Sequence, residues 1–294
     1  MSLRFQALAS GSNGNFIVIQ SPEATLGVDA GISRNRFLIG LKRLRISLRS
    51  IKAILLTHAH YDHIFGLPFL SDYFPNMPVI MTRGTRYNLH ALIESDPRWK
   101  RIINNSQLIP LGGTIKFGKF IIESLPTLHD QDGANGFVVS YLGMCITVLT
   151  DTGAITPIHT KALSKSSLAL LEMNHDTNSL ARSFRPYFLK ERIKRTHLSN
   201  VKALQGLRKV DDTKLRAIFT GHISDECNSP ELIGIEIKTW SKEEKRSWEW
   251  FLAPRTQSSD FVEISSSGIN ILKRFSGNIV FPNKGKSTLK SYIE

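Results

Sequence analysis

The sequence predicts an α/β fold, and three observations predict it. Apolar runs of strand length, bounded by turn residues, recur along the chain, as in Phe16 to Gln20, Ile51 to Leu56 and Phe137 to Leu142. Between them, segments such as Phe37, Leu41 and Leu44 repeat their apolar residues at helical spacing, so strand and helix periods alternate. Third, histidines and aspartates stand just past the ends of β-runs, where a buried strand opens into a loop.

With 294 residues, 41% hydrophobic and 21% charged, the chain suits one large domain with a small appendage. Its longest apolar runs are of strand length, and Met1-Ser-Leu-Arg-Phe-Gln6 lacks the basic start and apolar core of a signal peptide. No membrane association and a cytoplasmic location are therefore expected. Cys145 and Cys227 outline no disulfide framework. The net charge of +13 favours a polyanionic partner, nucleic acid first, over a merely basic surface.

Taken in order, Leu3 to Ala9 and Phe16 to Gln20 read as strands joined by Ser10-Gly-Ser-Asn-Gly-Asn15, a turn rich in residues that accept positive φ. A third strand near Thr25 to Val28 ends in Asp29-Ala-Gly31. Ser33 caps a helix whose apolar face is Phe37, Leu41 and Leu44 and whose other faces carry Arg34, Arg36, Lys42, Arg43 and Arg45. Those cations read as a solvated face.

Ile51 to Leu56 then delivers Thr57-His-Ala-His-Tyr-Asp-His63, three histidines and one aspartate in six positions. On an extended strand end side chains alternate with period two, so His58 and His60 face one ion. Asp62 and His63 turn toward a second. A lone histidine is usually packed or exposed, but four such donors behind one strand form a metal site. Two close ions activate water and stabilise both oxygens of a phosphoryl displacement.

Ile64 to Leu70 reads as a short helix broken by Pro68, Val79 to Thr82 as a strand, and Arg83 to Ser95 as a helix with His90 on its surface. Strands follow at Gln107 to Pro110, Thr114 to Phe117 and Lys119 to Leu125, the last leading to His129. Phe137 to Leu142 and Met144 to Leu149 form a hairpin through Gly143, ending at Asp151 in Thr150-Asp-Thr-Gly153. His159 reads as structural. Ser167 to Leu171 leads into Glu172-Met-Asn-His175-Asp176, where His175 is open between a structural role and a functional one.

Leu180 to Arg195 is helical in pattern, with Phe184, Tyr187 and Phe188 assigned to the core. Its Arg182, Arg185, Arg192, Lys194 and Arg195 are assigned to substrate phosphates. Val201 to Val210 is a helix capped by Ser199 or Asn200, and Leu215 to Thr220 a strand ending at His222. Pro230 to Lys242 is a helix, and Trp248 to Leu252 and Asp260 to Ile264 are closing strands. The tail, rich in Lys and Arg, reads as peripheral.

The pattern His-x-His-x-Asp-His after a strand resembles the metallo-β-lactamase superfamily, which implies a four-layer αββα sandwich. That domain is expected over residues 1–265, with a basic C-terminal extension over 266–294. The resemblance implies His129 as third ligand of the ion on His58 and His60, His222 beside Asp62 and His63 on the second, and Asp151 as bridge. The implied cofactors are two divalent ions, zinc or manganese, with iron compatible.

Within the superfamily the chain is similar to the YycJ/WalJ-like group of DNA-processing exonucleases. The shared pieces are Ser10 to Asn15, Thr57 to His63 with Gly66-Leu67, His129-Asp130, Asp151-Thr-Gly153, Glu172 to Asp176, His197-Leu-Ser-Asn200 and His222 to Pro230. Cys227 stands where asparagine is expected and Ile223 where leucine is usual. About seventy residues separate Asp151 from His222, too few for an inserted domain. By chain order Glu172 and His197 are similar to the glutamate–histidine pair of transfer-RNA 3′-processing nucleases of this fold. The implied catalytic set is Asp62, Glu172 and His197, with a metal-bridging hydroxide as nucleophile and His197 as acid. DNA is favoured over RNA. The competing readings are an RNA-processing nuclease, a thioester or lactone hydrolase and a binding protein without catalysis.

Overall fold

The computed structural model describes residues 2–275. In chain order its elements are β1 (Ser2–Ala9), β2 (Phe16–Gln20), β3 (Thr25–Val28), α1 (Arg34–Leu44), β4 (Ile51–Leu55), α2 (Tyr61–Ile64), α3 (Leu67–Tyr73), β5 (Val79–Met81), α4 (Arg83–His90), α5 (Arg98–Asn104), β6 (Ser106–Leu108), β7 (Thr114–Phe117) and β8 (Phe120–Pro126). There follow β9 (Asn135–Tyr141), β10 (Met144–Leu149), α6 (Pro157–Lys165), β11 (Leu168–Glu172), α7 (Thr177–Arg182), α8 (Tyr187–Thr196), α9 (Asn200–Leu207), β12 (Ala217–Gly221), α10 (Pro230–Glu244), β13 (Glu249–Leu252), β14 (Phe261–Ser265) and β15 (Gly268–Lys273).

The strands form two sheets, ordered β15-β14-β1-β2-β3-β4-β5-β6 and β13-β12-β11-β10-β9-β8-β7. Strand alternation builds four layers from them. In β11, Leu168 and Leu170 join the core between the sheets, which also holds Phe5, Phe137 and Phe219. Ala169 and Leu171 point the other way, onto a second core with Leu204, Ile237 and Trp240 of α9 and α10. The first sheet repeats the scheme: Phe16 and Val18 face Phe37 and Leu41 of α1, while Ile17 and Ile19 face inward. Helices, two sheets and helices thus stack as the expected αββα sandwich. Burial of each large inward side chain contributes about 1.5–3 kcal/mol.

Chain direction decides where the site lies. β3 and β4 are parallel, as are β10, β11 and β12. β8 is antiparallel to β9, which is antiparallel to β10, so β8 runs with β10. The C-terminal ends of β3, β4, β8, β10, β11 and β12 meet at one edge of the sandwich.

Several expected boundaries are corrected. The helix expected over Arg83 to Ser95 stops at His90. The break near Pro68 falls instead at Phe65-Gly66, because proline is tolerated in the first turn of α3. A Cβ on Gly66 would crowd the carbonyl oxygens of Ala30 and Ile32, so only glycine lets the chain pass there. Leu180 to Arg195 is two helices, since Pro186 stands before α8 and keeps Arg185 out of helical continuation. α5 and α6, each opened by or beside a proline, were not anticipated. The boundary expected at residue 265 falls inside the β14–β15 hairpin, whose pairing carries the first sheet to Lys273. The basic residues Lys284, Lys286 and Lys290 of the expected extension lie outside the described residues.

Candidate metal centre

The loop after β4 and five other strand ends converge on one site. Three of the residues that meet there, Asp29, Asp151 and His222, have positive φ of 59°, 58° and 52°. Residues other than glycine enter this region at a cost, and here it turns a side chain at a strand end across the sheet edge. The register then places neighbours: Glu172 pairs with Gly221, the residue before His222.

Two sets of donors result. In the first, His58 Nε2 lies 3.0 Å from His60 Nδ1, and His129 Nε2 3.1 Å from the same atom. In the second, His63 Nε2 is 3.4 Å from Asp62 Oδ2 and His222 Nε2 is 3.7 Å from it. Asp151 lies between the sets, with Oδ2 3.4 Å from His63 Nε2 and Oδ1 3.5 Å from His222 Nε2. The donor atoms of each set fall within 4.8 Å of one another, and so do those of His58, His63 and Asp151. All seven residues expected as ligands are brought together.

Outer partners decide which nitrogen faces inward. The Nδ1 of His129 donates to the Thr196 carbonyl at 3.1 Å, leaving Nε2 to the centre. His63 Nδ1 donates to Asp29 Oδ2 at 2.7 Å, and Asp29 Oδ1 accepts from the Thr57 amide and hydroxyl, both at 2.9 Å. His222 Nδ1 faces Glu172 Oε1 at 3.1 Å. Such carboxylate and carbonyl partners fix the tautomer of a metal-ligating histidine. Asn15 Nδ2 reaches the Asp62 carbonyl and carboxylate at 3.2 and 3.3 Å and lies 3.0 Å from His63 Nε2.

Two atoms test whether this arrangement fits an ion. Asp151 Oδ2 and His222 Nε2 are buried without a hydrogen-bond partner, and both point into the second set. Buried polar atoms left unpaired are rare and costly, and a divalent cation on carboxylate and imidazole donors satisfies them. The charge balance agrees. Burial is the largest influence on His58, His60 and His129 and pushes their pKa down, keeping them neutral. Burial also opposes charge on His63 and His222, but carboxylates outweigh it. Asp29, Asp62 and Asp151 raise His63 well above its ordinary value, and Asp151, Asp62 and Glu172 raise His222 to about 10. Cation charge is thus already favoured at the second set.

His197 sits at the mouth, its Nδ1 2.8 Å from Glu172 Oε1 and its ring stacked on His222 at 5.3 Å. Glu172 therefore holds both rings, while its Oε2 accepts from the Thr152 amide at 3.0 Å. Burial works to raise the Glu172 pKa, and the two histidines hold it well below the usual carboxylate range instead. His175 is buried beside Asn174 and lies outside every donor set, and His159 is a buried capping residue of α6.

Of the cations expected at the substrate, only Arg192 touches the site's border, through Asp130 Oδ2 at 2.6 Å. Arg185 pairs with Glu226 and Lys194 with Glu191, while Arg195 Nε reaches the Glu191 carbonyl. Arg182 is exposed at the end of α7. Phe184, Tyr187 and Phe188, expected in the core, are exposed, because Leu189 and Ile193 occupy the inward face of α8. Asp29 and Asn15 join the site without having been among the residues expected there. Asp29 carried the same signal as the ligands, an aspartate just past a strand end.

A family described as a β-lactamase superfamily domain matches residues 25–223. The chain is 28% identical over 239 residues to exodeoxyribonuclease YycJ of Bacillus anthracis, covering 81% of this chain and 88% of that protein. It is 28% identical over 234 residues to exodeoxyribonuclease WalJ of Streptococcus pneumoniae serotype 2, covering 79% and 86%. Its fold is similar to the crystal structure of the metallo-β-lactamase fold protein YhfI from Bacillus subtilis, with a TM-score of 0.64 at 15% identity over 88% of this chain and 99% of that one. Because the matched stretch spans two thirds of the chain, with half the strands of the first sheet, all but β13 of the second and every strand end of the site, the chain belongs to the β-lactamase superfamily, with the metallo-β-lactamase fold and the divalent-metal binding that this fold implies.

Proposed function

We propose that this protein is a phosphodiesterase dependent on two divalent ions and that its substrate is DNA, degraded from an end. The observation that carries the reading is the meeting of two complete donor sets at Asp151. His58, His60 and His129 would hold one ion, Asp62, His63 and His222 the other, and Asp151 both. Zinc or manganese suits these donors, and iron is compatible. When bound, such a pair supplies a hydroxide at neutral pH and stabilises the charge of a phosphoryl displacement.

The chain's own groups do the rest. Glu172 holds His197 by Nδ1, so Nε2 is left at the mouth, where it can pass a proton to the leaving oxygen. Asp62 is anchored by Asn15 on one side and lies beside His63 and His222 on the other, which fixes the carboxylate that its second set needs. The choice of DNA over RNA is supported by the two exodeoxyribonuclease relatives, and the choice of nucleic acid also by the net charge of +13. Both cysteines are free, which supports a cytoplasmic setting, and no helix among the described residues is long and apolar enough to cross a membrane.

The test uses DNA labelled at either end, single- and double-stranded, with matched RNA, in the presence of manganese, zinc or a chelator. We expect stepwise shortening of DNA that the chelator and the Asp62→Ala variant both abolish. Trimming of RNA with DNA untouched would move the assignment to an RNA-processing nuclease. Hydrolysis confined to a thioester or lactone would end the nuclease reading.

A further inference from the structure

The apolar side chains of α7, α8 and the break between them fall into two groups. Leu180, Leu189 and Ile193 pack with Cys227 beneath the helices. Phe184, Tyr187 and Phe188 stand in solvent at 106%, 78% and 72% relative exposure. Three large aromatics exposed within five positions mark a place of interaction, and three features indicate what covers them. The patch is wholly aromatic, so it offers flat faces. The two helices and the break between them bear Arg182, Arg185, Lys190, Arg192, Lys194 and Arg195, which favours a polyanion over an apolar protein partner.

The third feature is continuity with the metal centre. α8 starts at Tyr187 and ends at Thr196, whose carbonyl holds His129, and the next residue is His197. On the way, Arg192 ties the helix to Asp130. Nine residues at about 1.5 Å rise place Tyr187, with Phe188 next to it, about 14 Å along the helix from its end at the site. That is roughly the span of four stacked nucleotides at about 3.4 Å each.

We propose that Phe184, Tyr187 and Phe188 form a base-stacking platform that grips a single-stranded nucleic-acid end about four nucleotides from the metal centre. Unpaired bases present faces that stack on aromatic rings, while neighbouring cations track the phosphates. A duplex keeps those faces inside its own stack, so the platform selects single strands or frayed ends. The proposal rests on the nuclease reading above, and it concerns binding, which can be read apart from cleavage.

The experiment compares the metal-loaded protein with the triple variant Phe184→Ala, Tyr187→Ala, Phe188→Ala. Fluorescence anisotropy follows a phosphorothioate oligothymidylate of about twenty nucleotides, whose linkages resist cleavage, and a blunt duplex of the same length. Hydrolysis of bis(4-nitrophenyl) phosphate reports on the centre alone. The variant is expected to lose at least tenfold in single-strand affinity, as the loss of stacked bases implies, with duplex affinity and chromogenic turnover unchanged. Phe188→Trp should keep the affinity, and its added indole fluorescence should be quenched when the strand binds.

Unchanged single-strand affinity in the triple variant would overturn the platform. So would an equal loss for single strand and duplex, or a concentration-dependent dimer that the variant abolishes while strand binding persists, since the patch would then join two copies of the chain. If the expected binding pattern appears but no nucleic acid is cleaved under any metal, the platform stands and the nuclease reading falls.

Discussion

Asp29 contributes no donor to either set, yet the His63 ring is oriented through it. The carboxylate accepts from His63 on one oxygen and from Thr57 on the other, tying the metal loop to the end of β3. Asp29→Asn keeps the shape but removes the negative charge that favours the inward lone pair of His63. Metal affinity is expected to fall about 10–100-fold, read by competition with a chromogenic chelator, and an unaltered affinity would show that Asp29 is only a turn residue. His159 illustrates a residue whose chemistry is structural. It donates from Nε2 to the Pro126 carbonyl at 2.7 Å and accepts the Thr156 amide at Nδ1 at 3.2 Å, an arrangement open only to the neutral ring. Burial lowers its pKa, so the unfolded chain binds its proton more readily. The stabilisation is complete above the unfolded value of about 6.5 and is lost as pH falls through the folded value. Thermal unfolding of His159→Gln should therefore depend less steeply on pH between neutrality and mild acid than that of the wild type, and equal slopes would refute the assignment.

At the scale of elements, the site depends on how closely α8 approaches the loop after β10. A Cβ on Gly153 would overlap the Arg195 carbonyl oxygen. The glycine carbonyl accepts from Lys202 Nζ at 3.1 Å, and the same ammonium donates to the Lys194 carbonyl at 3.0 Å. Backbone on both sides leaves no flexible atom to yield. Gly153→Ala should cost about 1–3 kcal/mol in urea unfolding, the range for overpacking, and should lower turnover, because Asp151 and His197 lie at the two ends of this contact. An alanine variant of full stability and activity would mean that the contact is looser than described. The break at Ser183 to Pro186 separates α8 from α7, and α8 ends at Thr196, next to His197 of the site.

For the whole molecule, the net charge of +13 becomes a statement about salt. If three or four phosphates are neutralised along α7 and α8, the logarithm of single-strand affinity should fall with the logarithm of salt concentration at a slope of about −2 to −3. A slope near zero would mean that the cations are a solvated surface. Metal uptake is also coupled to protons at this scale. His63 and His222 hold theirs tightly among the carboxylates, so binding at the second set must release them.

The layered α/β class, most strand positions and the candidate donors are legible in the amino-acid order. His58, His60, Asp62 and His63 lie within six positions, so alternation along one strand end is enough to bring them together. The remaining donors each follow a recognisable β-run. Other contacts join segments too far apart in the chain for local period to report. Asp29 meets His63 across parallel pairing of β3 and β4, Glu172 reaches His222 through the register of β11 against β12, and His197 comes to Glu172 from the end of α8. Phe184, Tyr187 and Phe188 were misplaced for the same reason. An aromatic on a helix carries no mark of which face will be covered, and here Leu189 and Ile193 took the inward face because the neighbouring surface around Leu180 and Cys227 was there to receive them.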